Sequence, residues 1–143
     1  MASPEPLRLL AQDAEDLAVM SAALQDAVAK IGDIAFEPKA RRLTVAFNRY
    51  RWERDGRAHE RVRSGLQLGG VMAVRSRKLR RDAKGAVVEL LALTFEPGEA
   101  PGGAVVFTFA GGGDLRAEVE CLEAVLADVS TPWPTPRTPA HGD

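Results

Sequence analysis

The sequence predicts an α+β domain: an antiparallel meander of about seven strands with one helix in front of it and one behind. Two observations carry that prediction. The apolar period changes from about 3.6 to about 2 near Ile31, and turn chemistry then recurs every ten residues or so. The chain has 143 residues, the size of one ordinary domain, and a domain of that size buries roughly 70% of its unfolded surface. Its 45% hydrophobic and 27% charged residues are interleaved, which excludes a wholly disordered chain.

Leu7, Leu9 and Leu10 form a brief apolar opening. Asp13 then reads as a helix N-cap, with Glu15 and Asp16 near the positive end of the helix dipole. Leu17, Met20, Leu24, Val28 and Ile31 recur at spacings of three and four, so the pattern predicts a helix over 14–30 that Gly32 stops. Ile34 and Phe36 lead to a break at Pro38. Leu43, Val45 and Phe47 alternate with polar or small residues, and the apolar phase changes face at Tyr50 and Trp52, which predicts a β-bulge near Asn48 and Arg49.

Asp55 and Gly56 form a hairpin dipeptide, followed by a strand in which Val62, Leu66 and Leu68 oppose a basic face. Gly69 and Gly70 turn the chain into 71–74, a basic loop spans 75–84, and 87–95 is a nearly continuous apolar strand. A Pro- and Gly-rich connection at 97–103 precedes Val105, Phe107 and Phe109, and Gly111 to Gly113 provides the next turn. Residues 115–120 read as a short strand and 121–129 as a closing helix. The domain is therefore expected over 1–129. Pro132, Pro134, Pro136 and Pro139 mark 130–143 as an extended tail, in which Trp133 is expected to fold back with its indole buried. A meander of this length closed by a helix has the element order of a pleckstrin-homology-like barrel or sheet, since a doubly wound fold would need helices between the strands.

No apolar stretch reaches the about 20 residues that a membrane-spanning helix needs, and no export signal is visible, so a cytoplasmic location is expected. Cys121 is the only cysteine, which excludes an internal disulfide and a cysteine-based zinc site. No cofactor is expected. Charge is segregated along the chain. Between Lys39 and Lys84 fifteen lysines and arginines stand against four acids, a balance of +11, so a chain of net charge −1 carries −12 on the remainder.

The segments LQDAV (24–28), NRYRWE (48–53), AGGG with LRAEVECLEA (110–124), and the proline tail with PAH (139–141) together resemble an uncharacterised domain-of-unknown-function family typical of alphaproteobacteria, over nearly the whole chain. That resemblance implies no activity, cofactor or catalytic residue.

Two places carry candidate chemistry. Asn48, Arg49, Arg51 and Trp52 combine guanidinium and aromatic groups of the kind that bind phosphates or bases. The simpler reading is a bulged strand with its aromatics in the core and its arginines in water. Arg75, Arg77, Arg80 and Arg81, with Lys78, make a basic cluster suited to an acidic protein partner, and secondarily to nucleic acid or anionic lipid. No catalytic constellation accompanies either. The expected function is a non-catalytic binding or scaffold module. The rival is a small enzyme or enzyme subunit with a site built from Arg49, Trp52, Glu53 and His59 on the 48–63 hairpin, and a third reading is nucleic-acid or anionic-ligand binding through the basic loop.

Overall fold

The first helix starts where the sequence places it. Asp13 takes the N-cap with an extended backbone, and its carboxylate accepts a hydrogen bond from the Asp16 amide at 2.8 Å. Helix α1 (Ala14–Ala23) then buries Leu17 and Met20, and Leu24 is buried at its C-cap. The structure, a computed structural model, describes residues 6–53 and 59–136. The Asp55–Gly56 turn and His141 lie outside the described residues.

The helix expected over 14–30 ends at Ala23. Asp26 adopts a left-handed φ of 62°, and Val28 and Ile31 belong to strand β2 (Val28–Lys30) and to a turn of 3-10 helix at Ile31–Asp33. Val28 pairs with strands on both sides, with Asn48 and with Glu89, and this tertiary pairing overrides the local helical spacing.

Among the described residues eleven strands join in one antiparallel sheet, not seven, and α1 is the α-helix. The other strands are β1 (Arg8–Ala11), β3 (Ile34–Glu37), β4 (Arg42–Tyr50), β5 (Glu60–Leu68), β6 (Val71–Arg77), β7 (Val87–Pro97), β8 (Gly103–Phe109), β9 (Asp114–Val119), β10 (Ala124–Asp128) and β11 (Trp133–Pro134). Their order is β1-β10-β5-β4-β2-β7-β8-β9-β6. β3 pairs with β4 beyond the end of β2, and β11 pairs with β5 beyond the end of β10. The expected pleckstrin-homology-like meander with a helix at each end is therefore overturned.

The strand expected over 115–120 is present as β9. The closing helix over 121–129 is replaced by β10, which fills the space between β1 and β5. Leu122, Leu126 and Val129 fit a helical period, yet Ala124 and Leu126 alternate with Val125 and Ala127 as a half-buried strand does. The short 7–10 segment, too brief to predict as a strand, is the partner that makes β10 possible. The bulge expected near Asn48 is absent, because β4 pairs with β5 without a break from Leu43↔Leu68 to Tyr50↔Arg61. Register shifts fall instead between Val71 and Ala73 and between Leu90 and Ala92. Tail residues Trp133 and Pro134 do pair, on the edge of β5 where a proline is tolerated, but the indole stays 36% exposed.

One hydrophobic cluster holds the sheet together. It joins Val45, Phe47 and Leu66 from one half of the strand order with Phe107, Leu115 and Val119 from the other, so the two halves face each other across a shared interior. Leu17, Met20 and Leu24 of the helical segment add to that interior, and the Leu93 amide donates to the Ser21 hydroxyl at 2.9 Å. The β7–β8 connection comes so close to itself that a Cβ on Gly103 would collide with the Glu96 carbonyl oxygen and lie 2.7 Å from the Phe95 ring. Gly103→Ala is expected to lower stability by about 1–3 kcal/mol in urea denaturation. Gly85→Ala, where nothing lies within 4 Å, should stay within about 0.5 kcal/mol of the wild type.

Candidate functional site

Strand β4 sends Leu43, Val45, Phe47 and Arg49 to the same inner face. Because no bulge shifts the alternation, the last of these inward positions carries a guanidinium, and Arg49 is fully buried. Its acceptors come from the neighbouring strands at the same level. Ser64 of β5 lies opposite Asp128 of β10 in the ladder, and the Ser64 hydroxyl donates to Asp128 Oδ1 at 2.6 Å. Arg49 Nε donates to Ser64 Oγ at 3.1 Å and to Asp128 Oδ1 at 3.0 Å. Nη1 donates to Glu53 Oε1 at 3.0 Å and to the Tyr50 carbonyl at 3.4 Å. Nη2 donates to Glu53 Oε2 at 2.8 Å and to Asp128 Oδ2 at 2.9 Å. All three guanidinium nitrogens are thus engaged inside the protein, and the fork presents nothing to a ligand.

Burial by itself would push the Arg49 pKa down, but hydrogen bonds and charge from Glu53 and Asp128 outweigh it and raise the value. For Asp128, burial pushes the carboxyl up, and hydrogen bonds from Arg49, Ser64 and the Leu7 amide, with the Arg49 charge, hold it below the usual carboxylate range. Glu53 is lowered in the same way, burial opposing and Arg49 prevailing.

The remaining residues of the NRYRWE motif are tied down too. Arg51 is buried, with Nη1 donating to Glu60 Oε1 at 2.8 Å and Nε 3.6 Å from Glu53 Oε2. Trp52 Nε1 donates to the Gln25 carbonyl at 3.1 Å, and its ring meets Tyr50 edge-on at 4.7 Å. The Tyr50 hydroxyl and His59 Nδ1 are hydrogen-bonded at 2.6 Å. Asn48 accepts from Arg63 through Oδ1 and from Arg61 through its carbonyl, each at 3.2 Å. The structure joins Arg49 with Glu53 and His59 with Tyr50. Asp128 and Ser64, the partners that explain Arg49, had no local signal; the unbroken inward parity of β4 was the available clue.

The two charge segments meet inside the molecule, because the strands of the basic middle pair with strands of the acidic flanks. Arg63 bonds Asp33 at 3.1 Å, Arg75 approaches Glu118 at 3.9 Å, Arg77 bonds Asp114 at 2.6 Å, and Arg41 pairs with Glu120. Arg75 and Arg77 lie on strand β6, where a loop was expected. Past them, Lys78, Arg80, Arg81 and Lys84 are exposed; Lys78 helps to hold the Asp114 carboxyl low, and the other three make no ion pair among the described residues. Asp82 is the acid of this loop.

The loop is well fixed. Ala83 N–H donates to the Arg80 carbonyl at 2.9 Å, and Gly32 N–H donates to the Lys84 carbonyl at 2.9 Å. A Cβ on Gly32 would lie 3.0 Å from that carbonyl oxygen, so glycine favours the close approach there and does not serve as the helix stop expected. No helix of the described residues is long and apolar enough to cross a membrane.

Comparison with known proteins gives a family. Residues 7–141 match the model of the family described as "Protein of unknown function (DUF2948)". No curated protein and no solved structure matches.

Replacing Arg49 with Met leaves Asp128 buried without its cation, and urea denaturation at pH 7 should show a loss of about 3–5 kcal/mol. In the wild type the depressed Asp128 and Glu53 values contribute stability that is complete above their unfolded values, about 3.9 and 4.3, and is lost as pH falls through the folded values. In the variant the unpaired carboxyl takes up a proton readily. The deficit relative to wild type should therefore narrow as pH falls below about 4; an equal deficit at both pH values would contradict the assigned pairing.

Proposed function

The chain belongs to the DUF2948 family, and we propose that it is a non-catalytic binding module that docks an acidic protein on its exposed basic loop. The observation that carries this reading is the contrast between cations. Those of the strands are largely neutralised from within, whereas Arg80, Arg81 and Lys84 stand together, exposed and without an ion pair among the described residues, next to Lys78, whose charge is shared with Asp114. Backbone hydrogen bonds fix the main chain that carries those charges before a partner arrives, which lowers the ordering cost of binding. The mutual engagement of Arg49 with Glu53 and Asp128 supports a structural role for the NRYRWE motif and hence a non-catalytic module. A cytoplasmic setting belongs to the same reading.

Polyglutamate is the simplest probe. It should bind the full chain with an affinity that falls as salt rises, and Arg80→Ser, Arg81→Ser and Lys84→Ser combined should weaken it about tenfold while leaving the circular-dichroism spectrum intact. Equal binding by the triple variant overturns the proposal. So does a clear preference for oligo-dT or for anionic vesicles over polyglutamate.

A further inference from the structure

Strand β6 ends the sheet. It pairs with β9 on one side, and on the other no strand lies against it among the described residues. Its start is pinned by the Val71 amide, which donates to the Arg41 carbonyl at 2.8 Å. Beyond that point the edge runs on to Arg77, a length typical of a full strand. Open edges of this kind recruit further strands unless they are guarded, and charged side chains are the usual guard.

Here the guard is selective. The side chains of Arg75 and Arg77 are 73% and 80% exposed even though they reach Glu118 and Asp114. A second copy of β6 would set arginine against arginine, whereas an acidic strand would meet the exposed sides of Arg75 and Arg77, each already shared with one carboxylate of β9, and, past the end of β6, the cations of the 78–84 loop. Nucleic acid could answer the charge but has no peptide backbone to extend the ladder.

A small pocket of about 30 Å³ lies past the end of β6, where Leu79 of the following loop meets Ile31, Ile34 and the buried Leu115. Ile31, Ile34, Leu79 and Leu115 give it apolar walls, and Arg81 and Lys84 also line it. The side chains of an added strand alternate between two faces. One face would put carboxylates beside Arg75 and Arg77, while the other puts small apolar groups beside Val74, which packs against the core, and toward this pocket only where the strand passes the end of β6.

Resting on the docking role of the basic loop, we infer that β6 accepts an extended acidic segment of the partner as an additional strand, one in which acids alternate with small apolar residues. The geometry is β-augmentation: main-chain bonds supply affinity, and the arginines and the pocket select the sequence.

The test uses the full chain labelled with nitrogen-15 and an alternating aspartate–valine heptapeptide. The control is the same peptide N-methylated on alternate amides, which keeps its charge but cannot extend a ladder. Binding should shift the amide resonances of residues 72–77 together with those of 78–84, and N-methylation should weaken it by about tenfold or more. Shifts confined to 78–84, with both peptides binding alike, would overturn the added strand and leave the loop as the docking surface. Absence of any shift would overturn both. Displacement of the peptide from residues 72–77 by oligo-dT at lower concentration would overturn the choice of a polypeptide.

Discussion

The buried contact between Arg49 and Asp128 organises one end of this sheet. It collects a guanidinium from β4, a hydroxyl from β5 and a carboxylate from β10, and the same carboxylate accepts from the Leu7 amide just ahead of β1. A slip of one residue in any of these strands would turn the side chain concerned to the outer face and strand the others in the interior. An ion pair of this kind adds little net stability compared with a well-packed apolar core, because desolvating both charges is costly. Its use here is to specify the register of the consecutive strands β4 and β5 against β1 and β10, which come from remote parts of the chain.

Local chemistry made part of the fold legible. The Asp13 cap, the buried Leu17 and Met20, and the alternating stretches of β4, β5, β8 and β9 all follow from neighbours a few residues away. The failures have a common cause. Val28 and Ile31 continue a helical period, and Leu122, Leu126 and Val129 form another, but each segment is claimed by strands from remote parts of the chain. For β10 those partners are β1 and β5, and neither pairing is written into residues 121–129 themselves. Arg49 was misplaced for a related reason. A charged side chain at the end of an apolar row suggests that the row has changed face, and the carboxylate from 79 residues away, with Glu53 and Ser64, makes the inward position tenable.

The charge segregation was visible at once, but not its resolution. A +11 block and a −12 remainder look like two opposed surfaces, or like a nucleic-acid face. Folding interleaves them: β6 lies beside β9, and Arg63 reaches Asp33, so acids and bases from different parts of the chain become neighbours. Among the described residues the densest group of cations left without an ion pair is Arg80, Arg81 and Lys84 between β6 and β7, which belong to a connection and have no facing strand.

The edge position of β1 governs the order in which the molecule can be assembled during synthesis. Its ladder partner is β10, more than a hundred residues further along the chain. Emerging from a ribosome, the first strand has nothing to pair with while β7, β8 and β9 form hairpins among themselves. Arg49 waits over the same interval, with Glu53 as its carboxylate and Ser64 beside it until Asp128 is made. β1 therefore gains its ladder only after β10 has been made, and the sheet edge at β10 and β5 stays unfinished until then.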